Sequence, residues 1–133
     1  MPDLIALQTR FSQIPIMQSL NMELLAVSVG RATMRLPYQE KFDGVFESLH
    51  GGVMMTLSDT VACAAVMTLA GTTSAITTTD MDIRFLSPCR SSCKAEARVI
   101  KFGRTLVPVV VDLTDEQDKL VAIARVTYIR LVR

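Results

Sequence analysis

The second half of the chain is dominated by β-branched and alternating apolar positions, a pattern that is typical of strands. It predicts four strands, at 76–86, 94–101, 105–114 and 120–132. Turn-forming residues separate them, and the last three follow one another at hairpin spacing, which indicates an antiparallel meander. Pro108 lies inside one of these runs, so we expect a bulge or an incompletely paired stretch at that point.

The first half of the chain adds a short helix and two more strands. Residues 1–20 form an N-terminal helical segment in which Leu4, Leu7 and Phe11 share an apolar face, and we expect Pro15 to end that helix. Strand-like runs at 22–29 and 32–38 are separated by Gly30-Arg31, which favours a hairpin.

Between these two sets of strands lies one long apolar segment. Residues 53–70 form a helix that is opened by His50-Gly51-Gly52 and stopped by Gly71. Because the helix is apolar nearly all round, it should be buried on most sides. One helix among about six strands is incompatible with alternating α/β crossovers. The fold class is therefore α+β of the hotdog type, an antiparallel sheet of about six strands wrapped around one long central helix.

Composition and charge narrow the function classes. With 133 residues and a mass of 14.6 kDa, we expect a single domain over 1–133. The 14 cationic and 13 acidic side chains are dispersed, which argues against a nucleic-acid partner. Polar residues interrupt the apolar helix, so neither a bilayer span nor a membrane partner is expected. An N-terminus without a basic region, and an odd number of cysteines, favour a cytoplasmic protein.

Asp59 is the residue that fits its surroundings least well. It lies in the middle of the apolar helix next to Leu57 and Val61, where burying a carboxylate is costly without a partner. Either Asp59 has a chemical role, or it lies on a solvated face or bonds to a neighbouring Ser or Thr. The sequence leaves both interpretations open.

The only histidine precedes Asp59 by nine residues. On one helix that spacing places His50 and Asp59 on opposite faces and about 13.5 Å apart along the axis. They can meet only across a two-fold axis, where two antiparallel helices bring position 50 of one chain beside position 59 of the other. Alternatively, His50 only caps the helix.

Gly51 and Gly52 stand where a helix N-terminus offers unpaired N–H groups and the positive end of its dipole. Without a Cβ, an acyl oxygen can approach these donors and be held as an oxyanion. A plain turn is the alternative explanation. No metal site is expected, since one histidine and the spacing Cys89-x₃-Cys93 do not provide a ligand set.

Together these residues resemble a known family. His50-Gly51-Gly52 with the carboxylate of Asp59 is similar to the helix-entry motif of hotdog-fold acyl-CoA thioesterases of the PaaI and thioesterase-superfamily-member-2 type. The run Thr77-Thr78-Thr79-Asp80-Met81-Asp82-Ile83-Arg84-Phe85-Leu86-Ser87-Pro88 resembles the strand that follows that helix, and Gly103-Arg104-Thr105-Leu106 with Val111-Asp112-Leu113 resembles the next hairpin. The similarity runs from about Tyr38 to the C-terminus.

The resemblance implies a catalytic set of Asp59, Gly51, His50 and Thr78. Asp59 would be the nucleophile or the general base, and the Gly51 amide the oxyanion donor. His50 would polarise or orient the thioester. Thr78 would position water and be supplied, with Asp59, by the partner subunit.

The resemblance also implies a groove for coenzyme A, with cations for its phosphates. For each cation, a solvated strand or turn position is the alternative. The substrate-binding candidates are Gly52, Arg84, Phe85, Leu86, Ser87, Pro88, Arg90, Lys101, Phe102, Gly103 and Arg104.

One departure from the family pattern concerns the loop before the histidine. The family commonly has Asn or Gln six residues before it and Gly three before it, whereas this chain has Gly44 and Glu47. The carboxamide that contacts the thioester or orients the histidine is therefore missing. Asp43, Glu47 or the backbone must substitute, or activity is weaker.

The expected function is hydrolysis of a small, medium or aryl acyl-CoA thioester at a dimer-interface site, with no cofactor besides the substrate's own coenzyme A. The expected partners are the acyl-CoA and further copies of the chain, as a homodimer with a family-typical homotetramer. Residues 76–86 are the candidate strand for pairing between subunits. A non-catalytic acyl-CoA-binding module and a hotdog hydratase or dehydratase are the alternatives.

Overall fold

The computed structural model describes residues 2–131, and they form three α-helices and six strands in the order ααββαββββ. The strand predictions agree with the structure to within about two residues at each end, except that position 132 lies outside the described residues. The elements are α1 (Leu4–Ser12), α2 (Pro15–Leu20), β1 (Glu23–Ser28), β2 (Arg31–Leu36), a 3₁₀ turn (Glu40–Phe42), α3 (Gly51–Ala70), β3 (Ile76–Phe85), β4 (Cys93–Val99), β5 (Leu106–Thr114) and β6 (Leu120–Arg130).

All six strands belong to one antiparallel sheet with the order β1-β2-β4-β5-β6-β3. The predicted hairpin of β1 with β2 and the predicted meander of β4, β5 and β6 are both confirmed. The strand that directly follows α3, β3, pairs with neither β2 nor β4, the strands next to it in the sequence. Instead β3 pairs with β6, at the far side of the sheet, so β3 is an edge strand of ten residues.

The long helix α3 covers one face of this sheet. It packs mainly against β2 and β4 and also contacts β5 and β6. By length and composition α3 could cross a membrane, but in the structure Leu57, Val61 and Val66 are fully buried in the core. Its buried side chains meet inward-facing residues such as Met34 and Val109. The helix is buried as its sequence pattern predicted, and it is buried by packing against the sheet.

The N-terminal segment differs from the prediction in one respect. α1 ends at Ser12, before Pro15, as expected, but Pro15 is also the first residue of a second helix. Proline suits that position because its fixed φ is helical and its missing N–H would have no partner there. α1 packs against β1, where its residue Phe11 is fully buried.

Of the two outcomes expected at Pro108, a bulge is absent from this part of β5, but the incomplete pairing is confirmed, because the pairing of β5 with β4 ends at Val109. The register shift of this strand lies between Leu113 and Thr114, and Pro108 lies opposite Thr127 in regular register with β6. The Pro108 carbonyl accepts the N–H of Ile100, just past the last residue pair of β4 and β5. Since the N–H and C=O of one strand residue point to the same side, the missing N–H faces the end of β4.

Truncation of Phe11 tests whether α1 is part of the core. We expect Phe11→Ala to lower the free energy of unfolding by about 3–5 kcal/mol, because it leaves a cavity beneath the helix. Ile5 lies on the same helix but is 74% exposed, so Ile5→Ala should change stability by less than about 0.5 kcal/mol. Urea unfolding of both variants measures the difference, and equal effects would contradict the placement of α1.

Candidate active site

The first turn of α3 presents one free backbone donor. The His50 ring caps the helix, because its Nδ1 accepts the Gly52 N–H at 2.9 Å, while the His50 carbonyl accepts the N–H groups of Val53 and Met54. The Gly51 N–H has no acceptor among residues 2–131. Capping, which the sequence offered as an alternative for His50, is thus observed. It also leaves the proton of a neutral imidazole on Nε2, at the exposed edge of the ring.

Gly51 is required by a close approach of Phe85. A Cβ at position 51 would lie 2.9 Å from the tip of the Phe85 ring, nearer than real Cβ contacts come. Phe85 is the last residue of β3 and is half exposed. The N-terminus of α3 and the end of β3 therefore form one surface, at which the free amide lies beside an aromatic ring.

Asp59 lies two turns further along α3 and is held by two hydroxyl groups. The Thr78 hydroxyl donates to Asp59 Oδ1 at 2.6 Å, and the Tyr128 hydroxyl lies 3.0 Å from the same oxygen and 2.8 Å from the Asp59 carbonyl. The other carboxylate oxygen, Oδ2, accepts no hydrogen bond from residues 2–131 and is not sealed from solvent. Bonding to a hydroxyl was one of the alternatives left open for Asp59, but its partners come from β3 and β6, not from α3.

The thiol nearest to this cluster is not poised to react. Burial raises the pKa of Cys63 to about 11, with Tyr128 acting in the opposite direction and Asp59 in the same direction. Burial also raises the pKa of Tyr128 well above its ordinary value. Near neutral pH both Cys63 and Tyr128 therefore keep their protons.

The structure divides the predicted site residues into two groups. His50 and Gly51 lie with Phe85 at one end of β3, whereas Asp59 and Thr78 lie towards the other end. Because α3 is continuous from Gly51 to Ala70, the spacing of about 13.5 Å between positions 50 and 59 is real. Seven extended residues from Thr78 to Phe85 separate the groups by roughly 20 Å along the strand. One chain does not bring all four catalytic candidates together.

The candidate groove residues divide in the same way. Leu86 and Ser87 donate their N–H groups to the Val121 carbonyl, and the Leu49 N–H beside His50 donates to the Cys89 carbonyl. This ties the segment 85–90, with Pro88 and Arg90, to the end of the sheet that holds His50 and Gly51.

The turn with Lys101, Phe102, Gly103 and Arg104 lies at the opposite end of the sheet. Arg130 fixes this turn, because its guanidinium lies 4.2 Å from the Phe102 ring centre and donates to the Gly103 carbonyl. Arg130 pairs with Ile76 of β3, two residues before Thr78. Gly103 itself is required, since a Cβ there would overlap the Leu106 carbonyl oxygen.

Arg84 is placed differently from the other predicted cations. Its neighbour Phe85 contacts α3, and successive strand residues alternate between faces, so Arg84 points to the face away from the helix. There it contacts Asp82 at 3.5 Å, and Asp82 also pairs with Arg125 at 3.2 Å. The exposed Arg90, Lys101 and Arg104 make no ion pair with residues 2–131.

The loop before His50 has a left-handed residue at Glu47 and no carboxamide at position 44. Glu47 has φ +58°, a left-handed conformation in which glycine costs nothing, and this is the position where the family commonly has glycine. A Cβ on Gly44 would lie 3.5 Å from the His50 ring, in ordinary contact. Asp43 bonds to Tyr38 through Oδ2 at 2.7 Å, and its buried Oδ1 has no partner within 2–131. Neither Asp43 nor Glu47 is hydrogen-bonded to His50 within the described residues, and a Cβ at position 44 would fit beside the ring.

Sequence reasoning missed two residues of this region, Tyr128 and Arg130. Both lie on β6, whose sequence indicated only an apolar strand. The period of two along β6 was the available signal, since Ala124, Val126 and Tyr128 share the buried face. What the sequence did not show was the pairing of β6 with β3, which places Tyr128 opposite Thr78.

The chain is similar to known thioesterases in sequence and in fold. The family model described as the thioesterase superfamily matches residues 46–122. Human acyl-coenzyme A thioesterase 13 is 29% identical over 107 residues, which are 78% of this chain and 76% of that protein. A thioesterase family protein from Silicibacter pomeroyi superposes with a TM-score of 0.88 at 23% identity, covering 96% of both chains. The PaaI protein of Escherichia coli superposes with a TM-score of 0.83 at 20% identity, covering 98% of this chain and 97% of PaaI.

These findings first define a class. A six-stranded antiparallel sheet with a central helix, shared with a solved thioesterase family structure, is the hotdog fold. Since the family model covers more than half of the chain, from just before the helix to β6, the chain belongs to the thioesterase superfamily.

The two tyrosines allow a direct test of the hydrogen bonds around the site. A hydrogen bond to Asp43, followed by desolvation and nearby negative charge, raises the pKa of Tyr38 to about 12, and Tyr128 is raised further still. With two tyrosines and no tryptophan in the chain, near-ultraviolet absorbance reports tyrosinate cleanly. We expect little tyrosinate in the folded protein at pH 10, whereas urea-unfolded protein should titrate near that value.

The two raised tyrosine pKa values make the stability of the fold depend on pH. Because the fold holds both phenolic protons more tightly, the stabilisation is present below about pH 10 and is lost as the pH rises further. Asp43→Asn should return Tyr38 towards its ordinary titration and leave Tyr128 unchanged. Two phenols titrating near pH 10 in the folded protein would contradict these contacts.

Proposed function

We propose that the protein hydrolyses an acyl-CoA thioester. The observation that carries this proposal is the state of Asp59, a carboxylate held through one oxygen by two hydroxyls while the other oxygen stays free. A free backbone amide at Gly51 supplies the complementary feature, a donor for the oxyanion. The likeness to human acyl-coenzyme A thioesterase 13 supports an acyl-CoA as the substrate.

The active site would be shared between two copies of the chain. If the edge strands β3 of two copies pair in antiparallel fashion around residues 81 and 82, the Thr78 end of one lies beside the Phe85 end of the other. The same two-fold axis brings the first turn of one α3 towards Asp59 of the other. A homodimer would then contain two complete sites, and a homotetramer would be a pair of such dimers.

In the proposed reaction the thioester carbonyl is held by the Gly51 amide, and the His50 Nε2–H orients it. Asp59 Oδ2 of the other subunit either attacks the carbonyl carbon or removes a proton from the attacking water, which Thr78 helps to position. Collapse of the tetrahedral intermediate breaks the C–S bond and expels the coenzyme A thiolate. In the general-base route Asp59 passes the proton taken from water to the thiolate, which gives the thiol and the acid. In the nucleophilic route the thiolate leaves an acyl–Asp59 anhydride, and water then hydrolyses this anhydride to the acid and the free carboxylate and supplies the proton of the thiol. Every group in this scheme comes from the chain, so no cofactor is required.

The pantetheine arm and the phosphates of coenzyme A would contact residues at both ends of β3. Phe85, Leu86, Ser87 and Pro88 would contact the arm, with Gly52 next to the carbonyl. Arg90, Lys101 and Arg104 would bind phosphates. An acyl group of small or medium length, or an aryl group, would occupy the space beside α3, and three free cysteines are consistent with a cytoplasmic enzyme.

Substitution of Asp59 tests the reaction. We expect Asp59→Asn to lower kcat for acyl-CoA hydrolysis about a thousandfold or more, because the variant can neither attack nor accept a proton. The matched control is Asp112→Asn, which removes the same charge from an exposed position of β5 and should keep kcat. Release of the thiol, followed with a thiol-reactive dye over a panel of acyl-CoAs, measures both.

Three outcomes would reject the proposal. Equal activity of Asp59→Asn and the wild type would exclude Asp59 from the chemistry. Calorimetric binding of acyl-CoA that is recovered intact after long incubation with the wild type would favour the non-catalytic binding module. Addition of water to an enoyl-CoA without thiol release would favour a hydratase.

Complementation between two inactive variants tests the shared site. Gly51→Pro removes the amide donor at a position where the backbone accepts proline, because position 51 starts the helix and His50 has φ −59° and ψ 134°. The proline Cβ would also displace the half-exposed Phe85 ring, and both changes disable the same half of the site. Gly51→Pro would inactivate the half of the site at the start of α3, and Asp59→Asn would inactivate the half that holds the carboxylate. Heterodimers formed by co-expression would each retain one intact site, so we expect roughly a quarter of wild-type activity.

The control is a mixture of the two variants purified separately and combined without subunit exchange, which should stay inactive. Light scattering checks that both variants assemble like the wild type. No recovery of activity in verified heterodimers would show that each site is built from a single chain.

A further inference from the structure

We propose that Tyr128 is a positioning residue for Asp59, which together with Thr78 fixes the oxygen Oδ1 and leaves Oδ2 as the reacting oxygen. This inference rests on the proposed function, since it assigns a role relative to the carboxylate chemistry. Neither the motif at the start of α3 nor the resemblance to the family assigned any role to β6.

The geometry around Asp59 is that of a three-point support. Thr78 of β3 donates to Oδ1 at 2.6 Å, and Tyr128 of β6 lies 3.0 Å from Oδ1 and 2.8 Å from the Asp59 carbonyl. Thr78 and Tyr128 are directly opposite each other in the sheet. Both donors therefore approach one side of the carboxylate from rigid strands, and rotation about the Cβ–Cγ bond of Asp59 would break both bonds.

Tyr128 can only act as a donor to Asp59. It is 96% buried, since only 4% of its surface is exposed, and burial followed by the nearby Cys63 raises its pKa well above the ordinary value. A phenol that keeps its proton across the working pH range has one hydrogen to donate, and Tyr128 shares it between the Asp59 carbonyl oxygen and Oδ1. The side chain thus contributes a constant dipole, and it takes no part in proton transfer itself.

A hydrogen bond donated to a carboxylate favours the charged form. The titratable groups around Asp59 are Tyr128 on β6 and Cys63 one turn later on α3, while Arg10 of α1 acts on Cys63. Both Tyr128 and Cys63 are neutral near pH 7, and Thr78 is uncharged. The two hydroxyl donors are therefore the described groups that act directly on the Asp59 carboxylate.

The test is the pH dependence of Tyr128→Phe, which removes one oxygen and keeps the ring. We expect kcat to fall about tenfold with KM unchanged, and the acidic limb of the kcat/KM profile to move up by about one pH unit. The matched control is Ser58→Ala, because the buried Ser58 hydroxyl bonds to the Met54 carbonyl on the same helix and touches no carboxylate. Its pH profile should be that of the wild type.

A second variant covers the case in which Tyr128→Phe folds poorly. In a Tyr38→Phe background, fluorotyrosine incorporation labels Tyr128 alone. The fluorinated phenol is a stronger donor of the same shape, so the acidic limb should move to lower pH.

The outcomes separate this inference from the proposed function. Loss of activity without a shift of the acidic limb in either variant would make Tyr128 a purely structural residue and overturn the inference, even if Asp59→Asn is inactive. If Asp59→Asn retains full activity, the proposed function fails first. In the double variant Asp59→Asn/Tyr128→Phe we expect no further loss beyond Asp59→Asn, and additive losses would likewise overturn the inference.

Discussion

Burial of α3 against the sheet is the constraint on which the rest of the molecule depends. Because Leu57, Val61 and Val66 are fully buried, α3 cannot rotate about its axis. Every polar residue on this helix therefore has a fixed position. Asp59 then faces β3 and β6 and meets hydroxyls from both. The same packing directs the first turn of α3, with its free Gly51 amide, to the other end of β3. Apolar packing thus sets the positions of the polar groups.

The order of the strands determines how these polar groups can be combined. Because β3 crosses to the far edge and pairs with β6, it carries Thr78 at one end and Phe85 at the other. An enzyme that used both ends within one chain would need a substrate that spans roughly 20 Å at its reacting centre. An unpaired edge of ten residues offers a simpler solution, since a two-fold axis across it exchanges the two ends.

Much of the fold was predictable from the sequence, because β-branched alternation and one apolar helix leave few architectures. Asp59 could also be singled out, as a carboxylate in an apolar helix. The partners of Asp59 were harder to predict in physical terms. Thr78 entered only through a resemblance, and Tyr128 not at all, since both contacts depend on strand pairing at long sequence separation. Pro15 follows one helix and begins the next. Apolar periodicity does not predict the second of these roles, because it depends on local backbone geometry.

Gly44 has a consequence for how this enzyme can change. Its backbone conformation is open to any L-amino acid, and a side chain there would meet the imidazole at van der Waals distance. Glu47, three residues further along the loop, has the left-handed φ of +58°. A replacement at position 44 would therefore reach the histidine at the start of α3 by ordinary contact and would require no unusual backbone of its own.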